Sequence, residues 1–339
     1  HISYHYVPEY DLRYARWDPG SSSWNTQTVD SVGTVGYWTS LALDDTGHPH
    51  ITHYDTQKDD LKYVRWDGSV WHIDTVDSEG AVGNGSSLAL DGSGYPHVSY
   101  YDWTNNELKY AKWDGTSWQR ESLGAGSSAW MAGSSLALDG SGYPHISYYP
   151  GVGVGLRYTR WDGSAWQMET LDTGGYVGKG SRLALDSSGY PHIVYLGNYA
   201  LRYARWDGSS WAIESVDTVA DLLGGSLHAS LALDGNDYPH VSYLVDYLGE
   251  EEELRYAAWD GSSWAIETVW SGDAGIWNSL ALDSGGWPHI SYTGGIDADG
   301  SGHRLMYAVG TPEPGSCILA LAGLGFGGLY ARRRRKEAD

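Results

Sequence analysis

Up to about residue 310 the chain is a succession of short apolar stretches, broken by Asp, Gly, Ser and Pro, and the stretches recur. Ser-Leu-Ala-Leu-Asp begins at Ser40, Ser87, Ser135, Ser230 and Ser279, with Arg182 in place of Ser in a sixth copy, at spacings of 47 to 49 residues. Each copy continues through a turn into Pro-His-(Ile/Val)-x-Tyr, then a variable stretch, then (Lys/Arg)-Tyr-x-x-Trp-Asp-Gly, a second Trp and commonly Glu-Thr-Val-Asp. A period of this length with apolar residues in short bursts predicts four strands per unit, in the manner of propeller blades.

The turn residues agree. Asp91-Gly92-Ser93-Gly94, Asp139-Gly140-Ser141-Gly142 and Asp186-Ser187-Ser188-Gly189 place Asp first and Gly fourth, as a type I turn prefers. Trp66-Asp67-Gly68, Trp113-Asp114-Gly115 and Trp206-Asp207-Gly208 mark a second tight connection. Two hairpins and a middle connection give a four-stranded antiparallel sheet. The second-strand and third-strand elements each occur seven times, the first and fourth six times. The expected fold is therefore all-β: a seven-bladed β-propeller over 1–310, its first and last blades incomplete. The chain opens with His1 in mid-repeat and not with Met, so a segment is expected upstream; another repeat there would make eight blades or more.

At this point the repeat resembles the bacterial seven-bladed propellers of the sialidase-like and fucose-binding-lectin type, over roughly residues 1–310. Such a resemblance is specific for fold and says little about activity. The sialidase Asp-box runs Ser-x-Asp-x-Gly-x-Thr-Trp; here Asp67 to Trp71 is one residue shorter, and no set of three equivalent arginines is apparent, which speaks against sialidase activity.

After residue 310 the pattern changes. Thr311-Pro312-Glu313-Pro314 and Gly315 form a Pro-rich linker, 316–331 is an apolar run, and 332–339 opens with Arg332, Arg333, Arg334, Arg335 and Lys336. This tail resembles the PEP-CTERM sorting signal of exosortase substrates, with Pro312, Glu313, Pro314 and the four arginines as its marked residues. Physically, the prolines end the folded domain and 316–331 is expected to span a membrane as one helix. The basic cluster stays cytoplasmic. A 16-residue run gives ~24 Å of helix against ~30 Å of hydrocarbon, which Tyr330 and the arginines can make up at the interface. The implied route is export with tethering before processing, then the cell surface or extracellular matrix of a Gram-negative-type bacterium.

Charge and composition narrow the partners. The net charge is -22, and the tail from Gly315 on contributes +3, leaving about -25 on the remainder, a field that repels nucleic acid and anionic lipid. The single cysteine, Cys317, lies in the apolar run, so the propeller has neither disulfides nor a thiolate metal site. The 18 Trp and 27 Tyr against one Phe favour half-buried and sugar-facing positions.

Twelve of the tryptophans belong to the repeated Trp-Asp-Gly…Trp pair and are expected to pack. His1, His50, His97, His145, His192, His240 and His289 recur at one position and are expected to be bonded between blades. Trp38, Trp130 and Trp277 break the repeat, in the connections that lead into a blade's first strand. Those connections share a face with the divergent second-to-third loops, whereas the two hairpin turns, nearly constant, share the other. Trp38, Trp130, Trp277 and Arg182 are therefore the candidate ligand-binding residues, with Asp299 as a further polar group. Asp297-x-Asp299-x-Ser301-Gly302 matches the first half of a calcium loop but has Ala308 at its twelfth position, so no cofactor beyond a weak calcium site is expected. No nucleophile motif, phosphate loop or metalloprotease signature occurs. The expected function is a non-enzymatic module that binds an extracellular glycan or matrix polymer. A glycoside hydrolase or lyase on the same scaffold, and a purely structural surface protein, are the alternatives.

Overall fold

The computed structural model describes residues 1–7, 9–125, 133–175, 177–218, 229–245, 252–272, 277–296, 303–310, 320–321 and 330–331. Five four-stranded and two three-stranded antiparallel sheets follow one another along the chain, and the fold is an all-β seven-bladed propeller. Blade 1 holds β1 (Ile2–Tyr6), β2 (Asp11–Asp18) and β3 (Ser23–Asp30). Blade 2 holds β4 (Tyr37–Leu43), β5 (Pro49–Asp55), β6 (Asp60–Trp66) and β7 (Trp71–Asp77). Blade 3 runs from β8 (Val82–Leu90) through β9 (Pro96–Asp102) and β10 (Glu107–Trp113) to β11 (Trp118–Ala125). Blade 4 spans β12 (Ser134–Leu138), β13 (Pro144–Tyr148), β14 (Leu156–Trp161) and β15 (Trp166–Asp172). Blade 5 comprises β16 (Lys179–Leu185), β17 (Pro191–Gly197), β18 (Ala200–Trp206) and β19 (Trp211–Thr218). Blade 6 comprises β20 (Ala229–Leu233), β21 (Pro239–Val245), β22 (Glu253–Trp259) and β23 (Trp264–Ser271). Blade 7 has β24 (Ser279–Leu282), β25 (Pro288–Ile296) and β26 (His303–Val309). The expected spanning helix over 316–331 lies outside the described residues, save for β27 (Ala320–Leu321) and β28 (Tyr330–Ala331), which pair antiparallel. Among the described residues no helix is long and apolar enough to cross a membrane.

The chain divides into two compact units, 1–183 and 184–339. Within the first, the core lies between consecutive blades. Leu12, Tyr14 and Val29 of blade 1 meet Ile51 and Val64 of blade 2. Leu61, Tyr63 and Val76 of blade 2 meet Val82, Val98 and Tyr100 of blade 3. Alternation puts these side chains on the faces turned to a neighbour, and full burial of each stabilises the fold by about 1.5–3 kcal/mol. In the second unit, Tyr243 and Val241 of blade 6 pack against Leu201 and Tyr203 of blade 5.

The strands nearest one another across blades are the first strands, β4 against β8 and β8 against β12. Serine holds them in register. Ser40 Oγ accepts the N–H of Leu88 at 3.0 Å, Ser87 that of Leu136 at 3.0 Å, and Ser135 that of Leu183 at 2.9 Å. A second hydroxyl ladder joins the second strand of one blade to the next: Thr52 to Ser86 at 3.0 Å, Ser99 to Ser134 at 2.7 Å, Ser147 to Ser181 at 3.1 Å. The repeated serines of Ser-Leu-Ala-Leu-Asp thus work as links between blades. The connections between blades carry Val35-Gly36, Val82-Gly83 and Val177-Gly178, each Val fully buried. At Gly83 φ is +107° and a Cβ would stand 2.9 Å from the Leu61 backbone, so glycine is required where the connection crosses the preceding third strand.

Candidate functional site

The recurrent histidines come first, because a chain of Asp, His and Tyr invites comparison with a catalytic relay. His50 Nδ1 pairs with the Tyr63 hydroxyl at 2.5 Å, and its Nε2 stands 3.8 Å from Asp44. His97 pairs with Tyr110 and lies 3.6 Å from Asp91; His145 pairs with Tyr158 and lies 3.7 Å from Asp139. In the second unit His192 does the same with Tyr203 and Asp186, and His240 with Tyr256 and Asp234. The partners all belong to the histidine's own blade. The expectation of bonding between blades is therefore corrected: the imidazole ties first, second and third strands of one sheet together. Burial lowers the proton affinity of His50, partly countered by Asp44, and burial raises that of Tyr63. A neutral imidazole locked to a buried phenol is a structural tie.

The same Tyr meets the next blade through its ring. Tyr14 packs edge-on against Trp71 with centroids 5.4 Å apart, Tyr63 against Trp118 at 5.3 Å, Tyr110 against Trp166 at 5.3 Å, and Tyr203 against Trp264 at 5.4 Å. The repeated tryptophans thus pack as expected, also pairing across their own hairpin, as Trp66 does with Trp71 at 5.3 Å.

Around each such contact polar groups gather. Two residues after the Tyr, on the same face of the third strand, stands a cation: Arg16, Arg65, Lys112 and Arg205, all exposed. Opposite the Tyr, on the fourth strand, stands Gln27, Asp74, Glu121 or Glu214. The phenols feel both: Arg65 pulls the Tyr63 proton affinity down while Asp74 pushes it up, and Arg205 and Glu214 do the same to Tyr203. Two indoles reach across to the fourth-strand group. Trp71 Nε1–H donates to Gln27 Oε1 at 3.1 Å, and Trp264 Nε1–H to Glu214 Oε1 at 3.0 Å. An aromatic from the first turn flanks the site in most blades, with Tyr95, Tyr143 and Tyr238 well exposed and His48 in their place in blade 2.

Between blades 1 and 2 this constellation opens into a cleft of about 710 Å³. Blade 1 supplies Arg16, Asn25 and Gln27; blade 2 supplies His48, Trp66 and Trp71. Its walls combine flat apolar rings with fixed hydrogen-bonding groups, the make-up of a small-molecule site. These residues belong to the uniform hairpin side, which repeat divergence did not single out. The signal that could have found them was the regular return of Tyr-x-(Arg/Lys) facing an acid, with a Trp one period on.

The candidate residues picked for departing from the repeat are placed as follows. Trp38 is half-buried in blade 2, its ring 5.5 Å from that of Tyr54 and 5.9 Å from that of Tyr37. Trp277, before β24, is 51% exposed. Both sit in left-handed backbone, at φ of 47° and 65°, where blades 3 and 5 have Gly85 at 60° and Gly180 at 64°. Arg182 is half-buried on β16 and donates to the Ser181 carbonyl at 3.0 Å; burial lowers its proton affinity. Unlike the serines it replaces, Arg182 cannot accept a backbone N–H. Trp130, Asp297, Asp299 and Ser301 lie outside the described residues. Among the described residues no group of three or more His, Cys, Asp or Glu is placed to hold a metal.

Residues 311–335 match the family profile of the PEP-CTERM protein-sorting motif, which indicates export through an exosortase to the cell surface. No curated protein matches the chain. Among solved structures the fold is similar to that of a point mutant of Aleuria aurantia lectin in complex with α-methyl-L-fucoside. Identity there is 16%, the TM-score is 0.57, and 86% of this chain and 94% of that one are covered. It is also similar to an ulvan lyase of a new polysaccharide lyase family, at 13% identity and a TM-score of 0.57, covering 86% of each chain. The NanB sialidase of Streptococcus pneumoniae aligns at 10% identity with a TM-score of 0.50, over 75% of this chain and 64% of that one. These likenesses establish the propeller fold.

Proposed function

We propose that the chain is an exported, non-enzymatic glycan-binding propeller that holds saccharide units in the clefts between consecutive blades. In this reading the tail tethers the propeller to the membrane until an exosortase processes it, after which it serves at the surface or in the matrix of a Gram-negative-type bacterium. The observation that carries the reading is the repeated grouping of an exposed cation, a fourth-strand carboxylate or amide and a neighbour's indole, opened into a full cleft beside Arg16, Gln27 and Trp71. Sugars offer an apolar C–H face to a ring and hydroxyls to a charged or amide edge, and the cleft provides both at fixed spacing. Its indoles are immobilised by packing against Tyr14 and each other, so little freedom is lost on binding. The similarity to a lectin solved in complex with a fucoside is consistent with this use of the fold.

The test is a glycan array probed with the full chain in mild detergent, followed by titration of the best ligand. Replacing Arg16, Arg65, Lys112 and Arg205 together by alanine should leave the melting temperature within a few degrees and lower affinity at least tenfold. Undiminished binding by that variant would place the ligand elsewhere. Shortening of a bound polysaccharide during incubation would instead show a lyase or hydrolase.

A further inference from the structure

The grouping between blades 1 and 2 differs from its counterparts in one respect that changes its chemistry. Where the position opposite the Tyr carries Asp74, Glu121 or Glu214 in other blades, here it carries Gln27. The amide is also held one way round. The Trp71 indole N–H can only donate, so the Gln27 atom it meets at 3.1 Å is the carbonyl oxygen. With Oε1 engaged by the indole, both Nε2–H donors are left for the cleft, alongside the Arg16 guanidinium and the Asn25 amide. Between blades 5 and 6, Trp264 makes the same bond to a Glu214 carboxylate, which puts a negative charge opposite Tyr203.

We infer that the cleft of blades 1 and 2 is an anion-selective saccharide site, taking a sugar that bears a carboxylate or a sulfate. The inference rests on the glycan-binding reading above and assigns a ligand class to one of its sites. A carboxylate or sulfate oxygen accepts charge-assisted hydrogen bonds from Arg16 and neutral ones from Gln27. The indoles of Trp66 and Trp71 supply the flat surface for the pyranose. A carboxylate introduced at Gln27 would keep the indole bond, as Glu214 does, and would turn the donor pair into an acceptor pair bearing a charge.

The experiment is titration of the full chain in mild detergent, at low and high salt, with matched probe pairs. One pair is tetragalacturonate and its methyl ester; the other is a sulfated galactose tetrasaccharide and its unsulfated parent. Expected is at least tenfold tighter binding of the charged member of one pair to one site per chain, weakened by salt, with the preference abolished in Gln27→Glu. Arg16→Gln, at an exposed position, is the second variant and should lose the same preference if Gln27→Glu fails to fold. Equal binding of charged and neutral members would overturn the inference and leave the glycan-binding reading standing. So would a preference that survives both variants. Absence of binding by every saccharide on the array and in both pairs would overturn that reading and the inference together.

Discussion

The phenol of Tyr100 donates to Asp77 Oδ2 at 2.8 Å, from the second strand of blade 3 to the end of the last strand of blade 2. Asp77 is 1% exposed and also receives Lys109 Nζ at 2.5 Å and Arg120 Nη1 at 2.8 Å, both from blade 3. Burial alone would raise its pKa, but Lys109 and Tyr100 outweigh that and hold it below the ordinary carboxylate value. Asp77 is thus the hub through which one blade grips the next; without it Lys109 keeps only Asp102 at 3.7 Å, Arg120 only Glu79 at 3.2 Å, and the buried Tyr100 hydroxyl loses its acceptor. Asp77→Ala should cost about 1–3 kcal/mol of stability by chemical denaturation, and Lys109→Ala less, since Arg120 and Tyr100 remain. Equal small losses from both would show that the hub is solvated.

In blade 2 the position of Tyr100 is taken by His53, fully buried, with Nε2 3.5 Å from Asp30 and Nδ1 accepting the Gly36 N–H at 3.3 Å. Burial lowers its pKa from 6.5 to about 4, despite Asp55. The unfolded chain takes up a proton below pH 6.5 that the folded chain refuses until about pH 4. Stability from this group is therefore complete above pH 6.5 and falls as pH drops from there to 4, by about 3 kcal/mol in all. Burial lowers His50, His97, His145, His192 and His240 as well, so they add slope of the same sign. His53→Gln should shrink the Tm difference between pH 7 and pH 4.5. An unchanged difference would mean that His53 is solvated or already protonated.

The blades were legible in the sequence because each rests on local chemistry. Asp91 accepts the N–H groups of Ser93 and Tyr95 at 2.8 and 2.9 Å, and Asp67 those of Ser69 and Val70, as the Asp-Gly spacings require. What the sequence hid was contact between repeats. The Trp71–Gln27 bond joins residues 44 apart, and Tyr63 meets Trp118 across a blade boundary, so neither follows from strand periodicity. The repeated tryptophans pack as scaffold, and two of them, Trp66 and Trp71, also wall the cleft between blades 1 and 2. Seven histidines at one repeat position suggest lateral bonding, whereas the antiparallel pairing of β5 and β6 puts His50 and Tyr63 diagonally on one face of the same sheet.

The tail carries its own prediction. The sorting motif matches over 311–335, a span in which Pro312, Glu313 and Pro314 stand ahead of the apolar run and the arginines. In an exosortase-bearing host, changing the three to alanine should block processing and leave the protein in the membrane fraction. The same change should not alter the melting of the propeller. Normal release of that variant would show that processing does not read these residues.

The last prediction concerns Trp38 and Trp277. In blades 3 and 5 the left-handed position two residues ahead of the first-strand repeat is glycine, at Gly85 and Gly180, which adopts it without steric cost. Trp38 and Trp277 adopt it with a bulky side chain, at a cost of order 1–2 kcal/mol each. Trp38 is half-buried against Tyr37 and Tyr54, and Trp277 is 51% exposed. Relief of the backbone strain should let Trp277→Gly raise Tm by about 2 °C. Strain kept at an exposed indole points to use of its surface. If that surface takes part in glycan binding, Trp277→Gly will weaken binding of long glycans and leave tetrasaccharide affinity unchanged. A variant that is no more stable and binds long and short glycans alike would remove Trp277 from the binding surface.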